Sequence, residues 1–178
     1  MIAPLPNRRI LVVDDNPAIH EDFRKVLHKP VAGDALDSLE SAFFEGAAPA
    51  GESADFELDS AFQGEEGLAK VRQALDSGRP YSVAFVDMRM PPGWDGVETI
   101  EQFWKVDPQL QVVICTAYSD HSWDEIFGRL GNRNSLAVLK KPFDNVEVRQ
   151  LAETLIQKWF LARQLLGYSQ GAPDVTNE

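Results

Sequence analysis

The sequence predicts an α/β fold with an open, doubly wound, five-stranded parallel sheet. Three observations support this prediction: five short apolar runs are present, amphipathic helical segments separate them, and the runs are apolar throughout rather than alternating. A strand that is apolar throughout must be covered on both faces, and helices between successive parallel strands supply that cover. Such sheets bind ligands at the carboxyl ends of their strands, so we expect the functional residues there.

The five predicted strands are rich in Val, Ile, Leu and Phe. They are Arg9 to Val13, Phe56 to Phe62, Tyr81 to Val86, Gln111 to Thr116, and Leu136 to Leu139. Between them, apolar residues recur at spacings of three and four, which is typical of amphipathic helices. These helical segments run from Ile19 to Leu27, from Leu68 to Leu75, from Val97 to Trp104 and from Trp123 to Leu130.

Helix-start signals agree with these positions. Asn16 precedes Pro17, while Asp95, Ser122 and Asp144 each have a glutamate three residues later, which is typical of an N-cap. The last helix begins at about Asn145, and its apolar residues continue past Trp159 toward Leu166. Two interpretations of this extension stay open: a two-stranded helical junction, or packing of Trp159 and Phe160 on their own domain.

An acidic insertion separates the first helix from the second strand, over residues 30 to 55. It contains a predicted short helix, Asp34 to Phe44, and a tether rich in Ala, Gly, Pro and Ser, Ala47 to Ala54. Residues 30 to 69 hold ten acidic side chains and no Lys or Arg. Either a solvated loop or a recruitment surface is consistent with this charge. A polar tail, Gly171 to Glu178, ends the chain.

Composition excludes several classes of protein. The 178 residues carry a net charge of −11, which repels nucleic acid and anionic membranes, so we expect no direct nucleic-acid or membrane binding. A single cysteine, Cys115, cannot form an internal disulfide or a zinc site. Met1 to Arg9 lack the apolar core of a signal peptide, and no stretch is long enough to span a membrane. We therefore expect a cytoplasmic protein.

Charged and hydroxyl side chains follow four of the five predicted strands. Asp14 and Asp15 follow the first, Asp87 the third, Thr116 ends the fourth, and Lys141 follows the fifth. Two like charges about 4 Å apart repel by about 4 kcal/mol at an effective dielectric of 20, so three gathered carboxylates predict a cation between them. Oxygen ligands favour Mg²⁺ or Mn²⁺, and Mg²⁺ commonly shares a phosphate with its site. The sequence thus predicts phosphoryl chemistry.

Four ordered motifs resemble those of response-regulator receiver domains, which have a flavodoxin-like fold. They are Val12-Val13-Asp14-Asp15-Asn16, then Val86-Asp87-Met88-Arg89-Met90-Pro91 with Asp95-Gly96, then Ile114-Cys115-Thr116-Ala117, and Lys140-Lys141-Pro142-Phe143. The resemblance covers residues 8 to 162 apart from the acidic insertion. Residues 163 to 178 then form the end of the last helix and the polar tail.

The resemblance implies a role for each matched position. Asp87 would accept a phosphoryl group as a carboxylate nucleophile. Asp15 would ligate Mg²⁺ directly and Asp14 through water, Asp87 would belong to the same metal site, and the backbone carbonyl of Arg89 would complete the protein ligands. The phosphoryl-binding and switch positions would be Lys141, Thr116 and Ala117. The Thr116 hydroxyl would be drawn toward the phosphoryl group, and this movement would alter the surface around the fourth helix and fifth strand.

The chain departs from the family pattern at two points. Val138 stands three residues before Lys141, where the family usually has Tyr or Phe, so the aromatic part of the switch is absent or is taken over by Tyr118 or Trp123. The loop after Asp87 is one residue longer than the common form and places Trp94 close to the predicted metal site. Trp94 is therefore a candidate fluorescent reporter of that site.

The resemblance implies signalling partners rather than an enzyme with its own substrate. The donor would be a histidine kinase or a phosphotransfer protein, and the output would pass to a downstream protein, a further domain or a homodimer. A receiver fold that binds proteins without being phosphorylated is the alternative. A haloacid-dehalogenase-type hydrolase would need an Asp where Asn16 stands, and a dinucleotide site would need a glycine-rich turn after the first strand.

Overall fold

Strands and helices alternate through the part of the chain that the computed structural model describes, residues 6–28, 55–117, 122–131 and 133–170. The strands are β1 (Arg9–Val13), β2 (Glu57–Ala61), β3 (Val83–Asp87), β4 (Gln111–Thr116) and β5 (Leu136–Lys140). The α-helices are α1 (Pro17–Leu27), α2 (Gly64–Asp76), α3 (Gly96–Val106), α4 (Trp123–Leu130) and α5 (Asn145–Gln170). A short 3₁₀ helix, Arg133–Ser135, precedes β5.

All strand pairs are parallel, and the sheet order is β2-β1-β3-β4-β5. This confirms the predicted doubly wound, flavodoxin-like sheet. The strand order reverses between β1 and β3, where Val13 is in register with Val86. Ligands bind beside such a reversal, so the topology places the candidate site at the ends of β1 and β3.

Two apolar cores lie on opposite faces of the sheet. On one face, Leu11 and Val13 of β1 pack with α2, α3 and α4; on the other, Ile10 and Val12 pack with α1 and α5. Successive side chains of a strand point to opposite faces, so β1 can be buried on both sides. The same holds for β3 and β4, which confirms that these strands are apolar because both faces are covered.

The edge strand β2 differs from the prediction. It is shorter than Phe56 to Phe62, its sequence ELDSA is largely polar, and four of its five residues are at least partly exposed. The expectation that every strand is apolar throughout was therefore wrong for β2. An edge strand has a neighbour on one side only and receives less cover from the helices. Phe62, beyond the end of β2, is 41% exposed.

The four predicted helix caps are confirmed. The side chains of Asn16, Asp95, Ser122 and Asp144 each accept a hydrogen bond from a backbone N–H two or three residues later, at 2.7 to 3.4 Å. Each bond satisfies one of the donors that the first turn of a helix leaves unpaired.

The last helix runs to Gln170, past the predicted Leu166. Trp159 is buried against its own domain, whereas Leu161, Leu165 and Leu166 are exposed. The predicted insertion helix, its tether, Tyr118 and the polar tail lie outside the described residues. Among the described residues, no helix combines the length and apolarity needed to cross a membrane.

Candidate functional site

Three carboxylates meet at the reversal of strand order. Asp14 and Asp15 follow β1, and Asp87 is the last residue of the neighbouring β3. One carboxylate oxygen of each lies within 4.8 Å of those of the other two. Residues 73 positions apart in the chain meet because parallel strands end at the same edge of the sheet.

Lys141 completes this cluster from the loop that follows β5, a strand two positions away from β3 in the sheet. Its Nζ donates to Asp14 Oδ2 at 2.7 Å and to Asp87 Oδ1 at 3.0 Å. The Lys141 backbone N–H donates to the carbonyl of Thr116 at 2.8 Å, which ties the β5 loop to the end of β4. The sequence-predicted lysine therefore does reach the acidic residues.

Asp14 is the most constrained of the three acids. Its side chain is almost fully buried, and Oδ1 accepts a hydrogen bond from the Asn16 N–H at 2.9 Å. Its own N–H donates to the Ala61 carbonyl at 3.1 Å. Asp15, in contrast, is exposed. The pair thus offers one rigid carboxylate and one that faces solvent.

The charges of the cluster do not balance. Three carboxylates face one ammonium, which leaves two negative charges in excess when all are ionised. Burial raises the pKa of Asp87; Lys141 opposes this and the neighbouring Asp14 adds to it, with a net upward shift. Burial alone would lower the pKa of Lys141, but its bonds to Asp14 and Asp87 raise it. Lys141 therefore stays protonated in this site.

Removal of the Asp87 charge is expected to change how stability depends on pH. In the folded protein the pKa of Asp87 is raised above 3.8, the ordinary value for an aspartate. Protonation of Asp87 therefore favours the folded state: the stabilisation is complete below that value and is lost as pH rises through the folded pKa. In EDTA, the stability of Asp87→Asn relative to wild type should therefore increase between about pH 4 and about pH 7. Urea denaturation at both pH values measures the difference, and a decrease with pH would contradict this expectation.

The backbone around Asp87 is held by the start of α3. The Gly96 N–H donates to the Met88 carbonyl at 2.9 Å. A Cβ at Gly96 would lie 2.5 Å from the Asp87 carbonyl oxygen and 2.9 Å from the Met88 Cα. Only glycine fits this approach, which explains the Asp95-Gly96 pair of the sequence motif.

Replacement of Gly96 by alanine is expected to destabilise the chain by about 1 to 3 kcal/mol, because the added methyl group meets backbone atoms that cannot rotate away. Urea denaturation measures the change. Gly128→Ala in α4 is the matched control, because no heavy atom of the described residues outside the backbone of that helix lies within 4 Å of a Cβ there. That substitution should stabilise the chain by up to about 1 kcal/mol, because glycine weakens a helix interior. Equal effects of the two substitutions would show that the close approach is unimportant.

The remaining predicted residues lie on β4, on β5 and in the loops that follow β3 and β4. Thr116 is buried at the end of β4, whereas Ala117 and Arg89 are exposed. Val138 lies on β5 and is 36% exposed. Trp94 is half-buried and packs on the core formed with α2, α3 and α4, so its indole is held in place rather than free in solvent.

The donor set fits a hard divalent cation. All three clustered side chains offer carboxylate oxygens, and their excess negative charge favours bound positive charge.

Sequence analysis missed one residue of this neighbourhood: His20 of α1, whose Nε2 lies 2.7 Å from the Asp14 carbonyl oxygen. Its position on the buried face of α1, three residues before Phe23, was the signal that could have found it.

A family model matches more than half of this chain. The family model described as response regulator receiver domain matches residues 40–153, a segment that begins after Asp14 and Asp15. The sporulation initiation phosphotransferase F of Bacillus subtilis (strain 168) is 35% identical over 91 residues, which cover 49% of this chain. The match spans 66% of that relative's length, just under two thirds.

Solved structures share the fold at lower identity. A CheY-like response regulator receiver domain protein from Methanospirillum hungatei JF-1 has a TM-score of 0.59 and 20% identity, with 85% of this chain and 95% of that chain covered. A structure described as adenylate cyclase from Rhodopirellula baltica has a TM-score of 0.67 and 22% identity, with 93% and 99% covered. At these identities the likeness concerns the fold alone.

Proposed function

This chain belongs to the response regulator receiver domain family, and from that premise we propose that Asp87 accepts a phosphoryl group from a phosphohistidine. The donor would be a histidine kinase or a phosphotransfer protein. The observation that carries the proposal is the pair of hydrogen bonds from Lys141 to Asp87 and Asp14. Asp15, the second residue of the Asp14-Asp15 acid pair, offers a carboxylate oxygen within 4.8 Å of those of Asp14 and Asp87.

The proposed transfer is a substitution at phosphorus. An Asp87 carboxylate oxygen attacks the phosphorus atom, the bond from phosphorus to the donor imidazole nitrogen breaks, and the nitrogen keeps the electron pair. The product is an acyl phosphate on Asp87. Lys141, already 3.0 Å from Asp87 Oδ1, would pair with a phosphoryl oxygen. The attack requires Asp87 to be ionised, because the carboxylate oxygen supplies the electron pair for the new bond.

The acid pair supports the binding of a divalent cation. Asp14, Asp15, Asp87 and the backbone carbonyl of Arg89 would hold Mg²⁺, and Mg²⁺ when bound supplies positive charge against the phosphoryl oxygens and the nucleophile. Without such a cation, the three carboxylates would repel an incoming phosphoryl group.

The output would follow from Thr116. A hydrogen bond from its hydroxyl to the phosphoryl group, with Ala117 beside it, would draw the loop after β4 inward and alter the surface of α4 and β5. Val138 and Trp123 lie on these elements. We propose that this surface contacts a downstream protein, a further domain or a second copy, and that the protein works in the cytoplasm.

A small phosphodonor tests the proposed function directly. Acetyl phosphate with Mg²⁺ should label the wild-type chain at one position, and hydroxylamine should release the label because it cleaves acyl phosphates. EDTA should prevent the labelling. Intact-mass spectrometry measures the product, and labelling that is equal in EDTA would contradict the role of the metal.

Val138 is the residue that favours the alternative function, a receiver fold that binds its partner without phosphorylation. The aromatic residue usual at this position is absent, so the usual link between Thr116 and the output surface is missing. Unchanged partner binding with and without acetyl phosphate would favour this alternative. The close approach of Asp87, Lys141 and Asp14 favours phosphorylation.

A further inference from the structure

The buried histidine of α1 contacts the backbone of the acid pair. His20 is 2% exposed, and its Nε2 lies 2.7 Å from the carbonyl oxygen of Asp14. A carbonyl oxygen can only accept a hydrogen bond, so Nε2 carries the proton and donates it to Asp14. The imidazole thus supplies the Asp14 carbonyl with a donor.

This carbonyl lies just beyond the end of β1. The Asp14 N–H still follows the sheet, since it donates to the Ala61 carbonyl at 3.1 Å, but the carbonyl of the same residue turns toward α1 and meets His20. A buried carbonyl deprived of its donor is unfavourable. The bond from His20 therefore stabilises one orientation of the peptide that joins Asp14 to Asp15.

The orientation of that peptide matters most for Asp15. The side chain of Asp14 has two further restraints, hydrogen bonds from the Asn16 N–H and from Lys141 Nζ. Asp15 is exposed, and no described residue donates a hydrogen bond to its carboxylate. The backbone at Asp15 therefore sets where its Cβ lies relative to the cluster, and the carboxylate can turn toward a cation from that point.

The imidazole is itself held in place. The Phe62 ring packs against it with 4.5 Å between ring centroids, and the Phe62 N–H donates to Glu66 at 2.8 Å. The other ring nitrogen, Nδ1, is buried with no hydrogen-bond partner among the described residues. His20 thus directs its single hydrogen bond to the Asp14 carbonyl.

We propose that His20 is a positioning residue for the divalent cation: its bond to the Asp14 carbonyl fixes the Asp14-Asp15 peptide so that both carboxylates face Asp87. This inference rests on the proposed function, which supplies the cation. It adds a residue from α1 that touches neither the cation nor the phosphoryl group. Groups that orient metal ligands in this way commonly change affinity by about 10- to 100-fold when they are replaced.

Magnesium affinity tests the proposal. In His20→Leu the dissociation constant for Mg²⁺, measured by calorimetric titration of the full chain, should rise about tenfold or more. His20→Gln should recover most of the affinity, because its amide nitrogen can occupy the place of Nε2 and donate to the same carbonyl. His28→Leu, at the exposed end of α1, is the matched control and should bind Mg²⁺ like wild type.

A second readout separates positioning from a general loss of structure. At saturating Mg²⁺, His20→Leu should take up phosphate from acetyl phosphate at nearly the wild-type rate, because its defect lies in metal binding. If urea denaturation shows that His20→Leu is not folded, His20→Asn is used in its place. The asparagine side chain is shorter than that of histidine and does not reach the Asp14 carbonyl. His20→Asn should therefore bind Mg²⁺ more weakly than His20→Gln.

Three results would overturn the inference: wild-type Mg²⁺ affinity in folded His20→Leu, equal weakening in His20→Gln and His20→Leu, or equal affinity of His20→Asn and His20→Gln. Failure of the proposed function is distinguishable, because the wild-type chain would then bind Mg²⁺ yet take up no phosphate, and the affinities of the His20 variants would still decide the inference. A wild-type chain that binds no Mg²⁺ would overturn both.

Discussion

Asp87→Asn is expected to abolish phosphoryl uptake from acetyl phosphate, with the rate falling about a thousandfold or more. The substitution converts the carboxylate that ends β3 and accepts a hydrogen bond from Lys141 into an amide. An amide is a poor nucleophile, and it also removes one negative ligand from the cluster. Intact-mass spectrometry over a time course measures the rate.

The matched control for this substitution is Asp76→Asn, at the exposed C-terminal end of α2. It removes the same charge from the chain and lies outside the carboxylate cluster, so labelling should remain at the wild-type level. Labelling of Asp87→Asn at the wild-type rate would refute the acceptor assignment. Loss of labelling in both variants would point to net charge rather than to the site.

Lys141→Met is expected to impair both stability and phosphoryl uptake. Among the described residues, Lys141 is the cation that is paired with Asp14 and Asp87, so its loss leaves partly buried carboxylates without an opposite charge. The free energy of unfolding in EDTA should fall by about 2 to 3 kcal/mol, allowing for the partial exposure of the pair. Phosphoryl uptake at saturating Mg²⁺ should slow by about a hundredfold, because a donor to the phosphoryl oxygens is lost.

The two effects of Lys141→Met should respond differently to Mg²⁺. The cation should recover part of the lost stability, because it supplies positive charge to the same carboxylates, whereas the phosphoryl uptake should stay slow. Lys140→Met is the matched control: its side chain is the neighbour in sequence, it is exposed on β5, and it should leave both quantities unchanged. Wild-type behaviour of Lys141→Met, or equal loss in Lys140→Met, would contradict the proposed role of Lys141.

Most of the fold could be predicted because its signals are local. Apolar residues that recur every second position in a strand, or every third or fourth position in a helix, indicate which face of the element is buried. A capping residue indicates where a helix starts. The prediction was less accurate at the edge strand β2, where Glu57 to Ala61 are mostly polar. Whether a strand lies at the edge or the centre of a sheet depends on its neighbouring strands. The pattern of apolar residues within one strand does not contain this information.

The same distinction applies to the site. By itself, the sequence determined the chemical identity of the cluster: Asp14, Asp15, Asp87 and Lys141 each follow or end an apolar run, and strand ends are where such sheets bind ligands. The tertiary structure alone decided that Lys141 bonds to both Asp14 and Asp87, that α3 approaches the backbone of Asp87 closely at Gly96, and that His20 lies at hydrogen-bond distance from the Asp14 carbonyl. These contacts depend on strand order and on how helices pack across the sheet, and local sequence patterns do not encode the distances that result.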